Sequence, residues 1–137
     1  MIYCDASLVV TALVPEARTA EARRWFSDHG GEVLAASWWV ETEVASALAQ
    51  KQRQQLLTEP QRRTAFAQWR LLCSSWEMLE IEGDHFVAAG NLTDDGLRAG
   101  DALHLAVAVE RQAALATRDH DLARVAREKG LVVHAVE

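Results

Sequence analysis

Cysteine is scarce in this chain, with only Cys4 and Cys73 among 137 residues, no CxxC spacing and no disulfide-dense stretch. A disulfide scaffold is thereby excluded, and both cysteines are expected as reduced core residues, Cys4 in a strand and Cys73 in a helix. No His/Cys set with zinc spacing is present either. Long apolar runs are missing: no segment approaches the roughly 20 uncharged apolar residues that cross a bilayer. The start, Met1-Ile-Tyr-Cys-Asp, has no basic n-region. A membrane partner is therefore not expected, and the cytosol is the default location. Basic residues are in the minority, 14 Lys and Arg against 20 Asp and Glu, for a formal net charge of −6. Phosphate affinity comes chiefly from Lys and Arg, so that balance taken alone counts against nucleic-acid binding. Repeats, linkers and low-complexity tracts are also absent.

What is present is an ordinary globular composition, half hydrophobic and a quarter charged. Its length suits one domain over residues 1–137, folding alone or as a small oligomer. Ile2 to Cys4 reads as a strand, followed by Asp5-Ala-Ser and a helix that stops near Pro15. A helix over Ala17 to Asp28 follows, with Ala17, Ala20, Trp25 and Phe26 inward, and then a strand at Val33 to Ala36. Ser37 suits the N-cap of a helix from Trp38 to about Gln52 that contains Glu43. Thr58-Glu-Pro-Gln opens the next helix, with Phe66, Trp69, Leu72 and Cys73 on one stripe. Met78 to Ile81 is a weaker strand, and a helix runs from about His85 to Thr93. Asp101 to Arg111 is a largely apolar helix expected to be buried. Ala113 to Ala116 is a strand, Asp119 to Lys129 a helix and Leu131 to Ala135 the last strand. Strands separated by helices from end to end specify an α/β fold with a mostly parallel sheet covered on its faces. Ligands then belong at the carboxyl edge of that sheet.

Two acids are aimed at that edge, since Asp5 follows the first strand and Asp119 follows the strand at Ala113 to Ala116. Asp101 at the start of the buried helix and Glu43 in the early part of another can lean over the same edge. Like charges about 4 Å apart repel by roughly 4 kcal/mol at an effective dielectric of 20, so gathered carboxylates require protons or a cation. Oxygen-only donors favour a hard ion, Mg²⁺ or Mn²⁺, and such an ion can activate water and polarise a phosphoryl oxygen. The chemistry this points to is phosphodiester hydrolysis. Ser7 and Thr117 are placed to hydrogen-bond a carboxylate or a metal-bound water. Neither has the His and Asp partners of a triad nucleophile.

Four stretches in order then carry a resemblance. Tyr3-Cys4-Asp5-Ala6-Ser7, Glu43-Val44 with Ala47-Leu48, Leu97-Arg98-Ala99-Gly100-Asp101-Ala102-Leu103-His104-Leu105-Ala106 and Thr117-Arg118-Asp119-His120-Asp121-Leu122 together resemble the PIN-domain ribonucleases. More narrowly, the chain is similar to VapC-type toxins of bacterial toxin–antitoxin pairs over essentially its full length. The resemblance implies a three-layer α/β/α fold, Mg²⁺- or Mn²⁺-dependent endoribonuclease activity on RNA, a homodimer and inhibition by a cognate antitoxin. Asp5, Glu43, Asp101 and Asp119 match the family's acidic positions, and Ser7 and Thr117 match its accompanying polar ones.

Several residues have blander readings. A single acid after a strand or at a helix start is usually a cap, and only the joint placement of the four favours a site. Glu41 points about 200° around its helix from Glu43 and should face elsewhere. Asp121 either caps its helix or lies near the metal. Arg98 and Arg118 are each phosphate clamps or structural residues in equal measure. His104 is expected as a hydrogen-bonded packing residue rather than a substrate contact. Trp25 and Trp69 are expected in the core, with Trp38, Trp39 and Trp76 open between packing, RNA and a partner. Two rival functions stand beside the nuclease: a catalytically silent PIN-like RNA- or protein-binding module, and a phosphatase of the haloacid dehalogenase class. The latter class needs an Asp two residues after its nucleophile, where this chain has Ser7.

Overall fold

The computed structural model describes all 137 residues. Its elements alternate as the sequence pattern requires: β1 (Ile2–Cys4), α1 (Ala6–Leu13), α2 (Thr19–Asp28), β2 (Leu34–Ser37), α3 (Trp38–Arg53), α4 (Glu59–Leu72), β3 (Glu77–Leu79), α5 (Gly83–Leu92), α6 (Ala99–Arg111), β4 (Ala114–Thr117), α7 (His120–Glu128) and β5 (Val133–Ala135). The five strands form one sheet in the order β3-β2-β1-β4-β5, and every neighbouring pair is parallel. Ile2, Tyr3 and Cys4 on β1 pair with Ala114, Leu115 and Ala116 on β4, which places the two central strands side by side in register. Helices cover the sheet as a three-layer α/β/α sandwich. α1 packs on α2, α3 and α4, while α6 packs on α5 and α7.

Burial follows the centre of this order. β1, β2 and nearly all of β4 are fully buried, and α6 buries seven consecutive residues from Ala102 to Ala108. A parallel strand covered on both faces reads as a continuous apolar run rather than an alternating one, which is what Ile2-Tyr-Cys and Leu34-Ala-Ala supply. The outer strands β3 and β5 are only partly buried and three residues long.

The structure moves some sequence boundaries. α2 starts at Thr19 rather than Ala17, and its buried face is Thr19, Ala22 and Phe26, with Ala17 and Ala20 exposed and Trp25 half-buried. A local knot of hydrogen bonds sets that start: the Thr19 hydroxyl donates to the Val14 carbonyl at 2.7 Å and accepts from the Glu16 N–H at 2.9 Å. Cys73 closes α4 half-buried instead of lying in the core, whereas Cys4 is buried as expected, and both are free thiols. α4 begins with a full capping box. Gln61 N–H donates to the Thr58 hydroxyl at 3.2 Å, and Thr58 N–H donates to the Gln61 side chain at 2.9 Å. No helix is long and apolar enough to cross a membrane.

Leu105 on α6 is fully buried in the hydrophobic core, so Leu105→Ala is expected to lower stability by about 3 kcal/mol. Thr58→Ala, at an exposed cap, should lower it by only about 1 kcal/mol. Urea denaturation of the two variants checks the ranking, and equal effects would contradict the assignment of α6 to the core.

Candidate active site

The strand order reverses direction between β1 and β4, and the chain leaves both strands at the same edge. That is the crevice where doubly wound sheets place ligands. From β1 the chain passes through Asp5, whose extended backbone (φ −79°, ψ 170°) makes it the N-cap of α1. From β4 it passes through Thr117 and Arg118 to Asp119, the N-cap of α7, whose Oδ1 accepts from Leu122 N–H at 2.8 Å. Two adjacent strands thus each enter a helix through an aspartate, and the caps are two of the four candidate acids.

Asp5 is only 2% exposed, and both its carboxylate oxygens are satisfied. Ser7 donates to Oδ1 at 2.8 Å and Leu8 N–H to the same atom at 3.2 Å, while the Thr117 hydroxyl donates to Oδ2 at 2.6 Å. Each hydroxyl then accepts a backbone N–H from the β4–α7 connection: Ser7 from Arg118 at 3.1 Å, Thr117 from Asp119 at 3.0 Å. Ser7 and Thr117 therefore serve Asp5 itself, and Thr117 meets Asp119 through its backbone rather than its carboxylate. Burial pushes the Asp5 carboxyl above its ordinary value, and His104, Thr117, Ser7 and Leu8 act against that rise.

Asp101 lies half-buried in the first turn of α6. Its carboxyl is pushed up to about 6, first by burial and next by the Asp119 carboxylate, with Asp5 and Glu43 adding to the rise and His104 opposing it. Asp101 thus feels the fields of the other three acids. No three of the chain's His, Cys, Asp and Glu side chains stand close enough together to ligate one ion directly.

Glu43, on α3, accepts from His104 Nε2 at 2.8 Å through Oε1. His104 is 1% exposed, and its Nδ1 lies 2.6 Å from the Tyr3 hydroxyl, which in turn lies 2.7 Å from the Ser37 hydroxyl. Burial raises the Tyr3 phenol far above its usual range, so it remains protonated. The start of α6 approaches α3 closely here. A Cβ on Gly100 would lie 3.2 Å from Glu43 Oε1 and 3.2 Å from Trp39 Nε1, a buried indole N–H with no partner.

The remaining sequence candidates lie elsewhere. Asp121 is exposed on α7 beside Arg124, 4.0 Å away, and is not brought to the acids. Glu41 turns away as its helical phase requires, to Trp69 and Arg70. Arg118 is tied to Thr11, Glu16 and the Val136 carbonyl as a structural residue. Arg98 stands exposed at the N-cap of α6 with no ion pair. Trp69 is buried, Trp25 and Trp76 pack against the core, and Trp38 is exposed with its N–H on Glu80. His104 is the hydrogen-bonded packing residue expected, but its partners were not foreseen. The available signal was its position three residues after Asp101, which sets both on one helix face.

A doubly wound parallel domain whose central strands run into aspartate caps over a shared carboxylate edge defines a class of acid-site α/β proteins. Within it, the chain belongs to the PIN domain family, whose model matches residues 2–128. No curated protein matches the sequence at a significant level. Among solved structures, one chain of VapBC2 from Rickettsia felis, bound to a promoter DNA fragment, is similar with 16% identity and a TM-score of 0.72, covering 100% of both chains. FitAcB from Neisseria gonorrhoeae is similar at 17% identity and TM-score 0.71, covering 97% of this chain and 96% of that one. VapC20 from Mycobacterium tuberculosis, described as a sarcin–ricin loop cleaving toxin, shares 17% identity and a TM-score of 0.70, with coverage of 96% and 97%. At such identities the likeness is one of fold.

Asp101 has a folded value of about 6 against 3.8 for an unperturbed carboxyl. The folded chain therefore holds this proton more tightly than the unfolded chain, and stability from this group is lost as pH rises from about 4 to about 6. Asp101→Asn is expected to stabilise the cation-free protein at pH 7.5 by about 1 kcal/mol, after allowing for solvent screening of a half-buried group. The gain should vanish at pH 4. Denaturant titrations at the two pH values check it, and a pH-independent difference would contradict the electrostatic cause.

Proposed function

We propose that this protein is a Mg²⁺- or Mn²⁺-dependent endoribonuclease and the toxin of a VapBC-type toxin–antitoxin pair. The carrying observation is the convergence of Asp5 and Asp119 at one sheet edge with Asp101 within their field and that of Glu43, the Asp101 carboxyl being raised first by its burial and then by these neighbours. The donor chemistry fits a hard divalent cation, because the four acidic side chains offer carboxylate oxygens and the neighbouring His104 nitrogens are taken up by Glu43 and Tyr3. Asp5, Asp101 and Asp119 would hold it, with Glu43 holding it or orienting water. Such a cation, when bound, supplies activated water and a polarised phosphoryl oxygen.

The chain's own residues do the rest. Ser7, Thr117 and Leu8 N–H fix the Asp5 carboxylate in one orientation, so its geometry costs no reorganisation when RNA arrives. His104 occupies Glu43 Oε1, leaving Oε2 to orient the attacking water or take its proton. Arg98, exposed and unpaired beside the acidic helix, offers a guanidinium fork to a phosphate of the RNA. Exposed Phe86 and Val87 on α5 support self-association as a homodimer. The toxin assemblies among similar structures support an antitoxin partner.

RNA incubated with the protein is expected to yield internal cuts with Mg²⁺ or Mn²⁺ and none with a chelator. Asp5→Asn should slow cleavage about 100-fold or more. Metal-independent or undiminished cutting would defeat the mechanism. RNA binding without products, unaffected by neutralising the acids, would instead favour the silent module. For the toxin role, expression of the chain alone should arrest growth, and co-expression of a small protein from the adjoining reading frame should relieve the arrest. Growth unaffected by an active nuclease would remove that role.

A further inference from the structure

Asp5 and Asp119 are held by the backbone they cap, but Glu43 lies inside α3, at the end of a side chain with three rotatable bonds. We propose that His104 is the positioning residue for Glu43: its Nε2–H, aimed from behind by Tyr3 and Ser37, holds the carboxylate at the acidic edge. The catalytic consequence rests on the nuclease reading above; the geometry does not.

His104 is buried with both ring nitrogens committed. Nε2 lies 2.8 Å from Glu43 Oε1, Nδ1 lies 2.6 Å from the Tyr3 hydroxyl, and that hydroxyl lies 2.7 Å from Ser37 Oγ. A carboxylate oxygen only accepts, so the hydrogen of this contact belongs to Nε2. A neutral ring receives the Tyr3 proton at Nδ1, and a charged ring gives one back along the same line towards Ser37. The Nε2–H faces Glu43 in both cases, so the assignment does not depend on the charge of the ring. Flipping the imidazole would remove the ring contacts of the buried Tyr3 hydroxyl and of the Glu43 oxygen together, leaving Tyr3 only Ser37.

The chain of contacts begins in rigid places. Tyr3 sits in the central strand β1 and Ser37 at the end of β2, and both are fully buried. Asp101 precedes His104 by three residues on α6, so one helix contributes an acid to the edge and the donor that orients another. Room for the Glu43 carboxylate exists on the far side because residue 100 is glycine, where a Cβ would approach Oε1 to 3.2 Å. A merely structural network would tie α6 to the sheet and be indifferent to which ring nitrogen survives a substitution.

The test exploits that difference. In the native protein, long-range ¹H–¹⁵N correlation of the His104 ring should find Nε2 protonated, with slow solvent exchange that Glu43→Gln accelerates. An unprotonated Nε2 would overturn the proposal. His104→Gln places an amide N–H near Nε2, whereas His104→Asn reaches only the Nδ1 side. The Asn variant should lose about 10- to 100-fold in Mn²⁺ affinity and in kcat, with KM for RNA unchanged, and the Gln variant should stay within about fivefold of native. Equal losses in the two variants, or no loss in the Asn variant, would refute positioning. If the native protein cuts no RNA, the nuclease reading fails, while the ring assignment and the Mn²⁺ titration still decide the role of His104.

Discussion

A carboxylate buried to 2% exposure at the end of the central strand is the constraint on which this structure turns. An isolated ion at that depth is prohibitively costly, and the fold retains Asp5 only because every lone-pair direction in use has a donor. Those donors are not local luxuries. Leu8 N–H makes Asp5 the cap of α1, Ser7 ties it to the Arg118 backbone, and Thr117 brings in β4 and the first turn of α7. One side chain therefore joins the two central strands and the two helices that follow them. Its removal is a structural event as well as a chemical one.

The same economy explains why the acids sit at helix starts. A parallel strand leaving the sheet must enter a helix with orphan N–H groups, and aspartate is a good residue to meet them. Asp5 and Asp119 satisfy that local need with one oxygen each and leave charge at the sheet edge. Asp101 caps no helix, and its carboxyl is raised first by burial and then by the neighbouring carboxylates, with His104 opposing the rise. Placing a half-buried acid just ahead of the buried stretch of α6, within the field of three other carboxylates, sacrifices stability in the protein without a cation. Sites built for charge are commonly less stable than the fold could be made.

Much of this was legible in the sequence because it depends on local rules. Strand-helix alternation gave the parallel sheet, and the residues after the Cys4 and Ala116 runs identified two caps at one edge. The order β3-β2-β1-β4-β5, which makes those two strands neighbours, is a long-range fact that periodicity does not encode. Three features escaped for related reasons. Ser7 and Thr117 were legible as partners of a carboxylate, but not that both converge on Asp5 from positions 110 residues apart. The Tyr3–His104 contact spans 101 residues, so no spacing rule announces it. The start of α2 was set by Thr19 bonding back to Val14 and Glu16, a knot that hydrophobic phase does not register. Asp121, left open in the sequence and beside Asp119 there, is carried round the helix into solvent and faces Arg124.

The net charge of −6 takes on a different meaning once the fold is known. Of the twenty acids, Asp5, Glu43, Asp101 and Asp119 belong to the edge; setting these four aside leaves sixteen acids against fourteen bases, a body close to neutral. Such a body provides little long-range steering for a polyanion. Attraction for RNA would then have to be local, from a cation at the carboxylate edge and from Arg98 beside it, and would fall off within about 8 Å at physiological ionic strength. Under the nuclease reading, productive encounters would then depend on a substrate whose shape brings one phosphate to one place, and selectivity would follow from the weakness of the average field rather than from its strength.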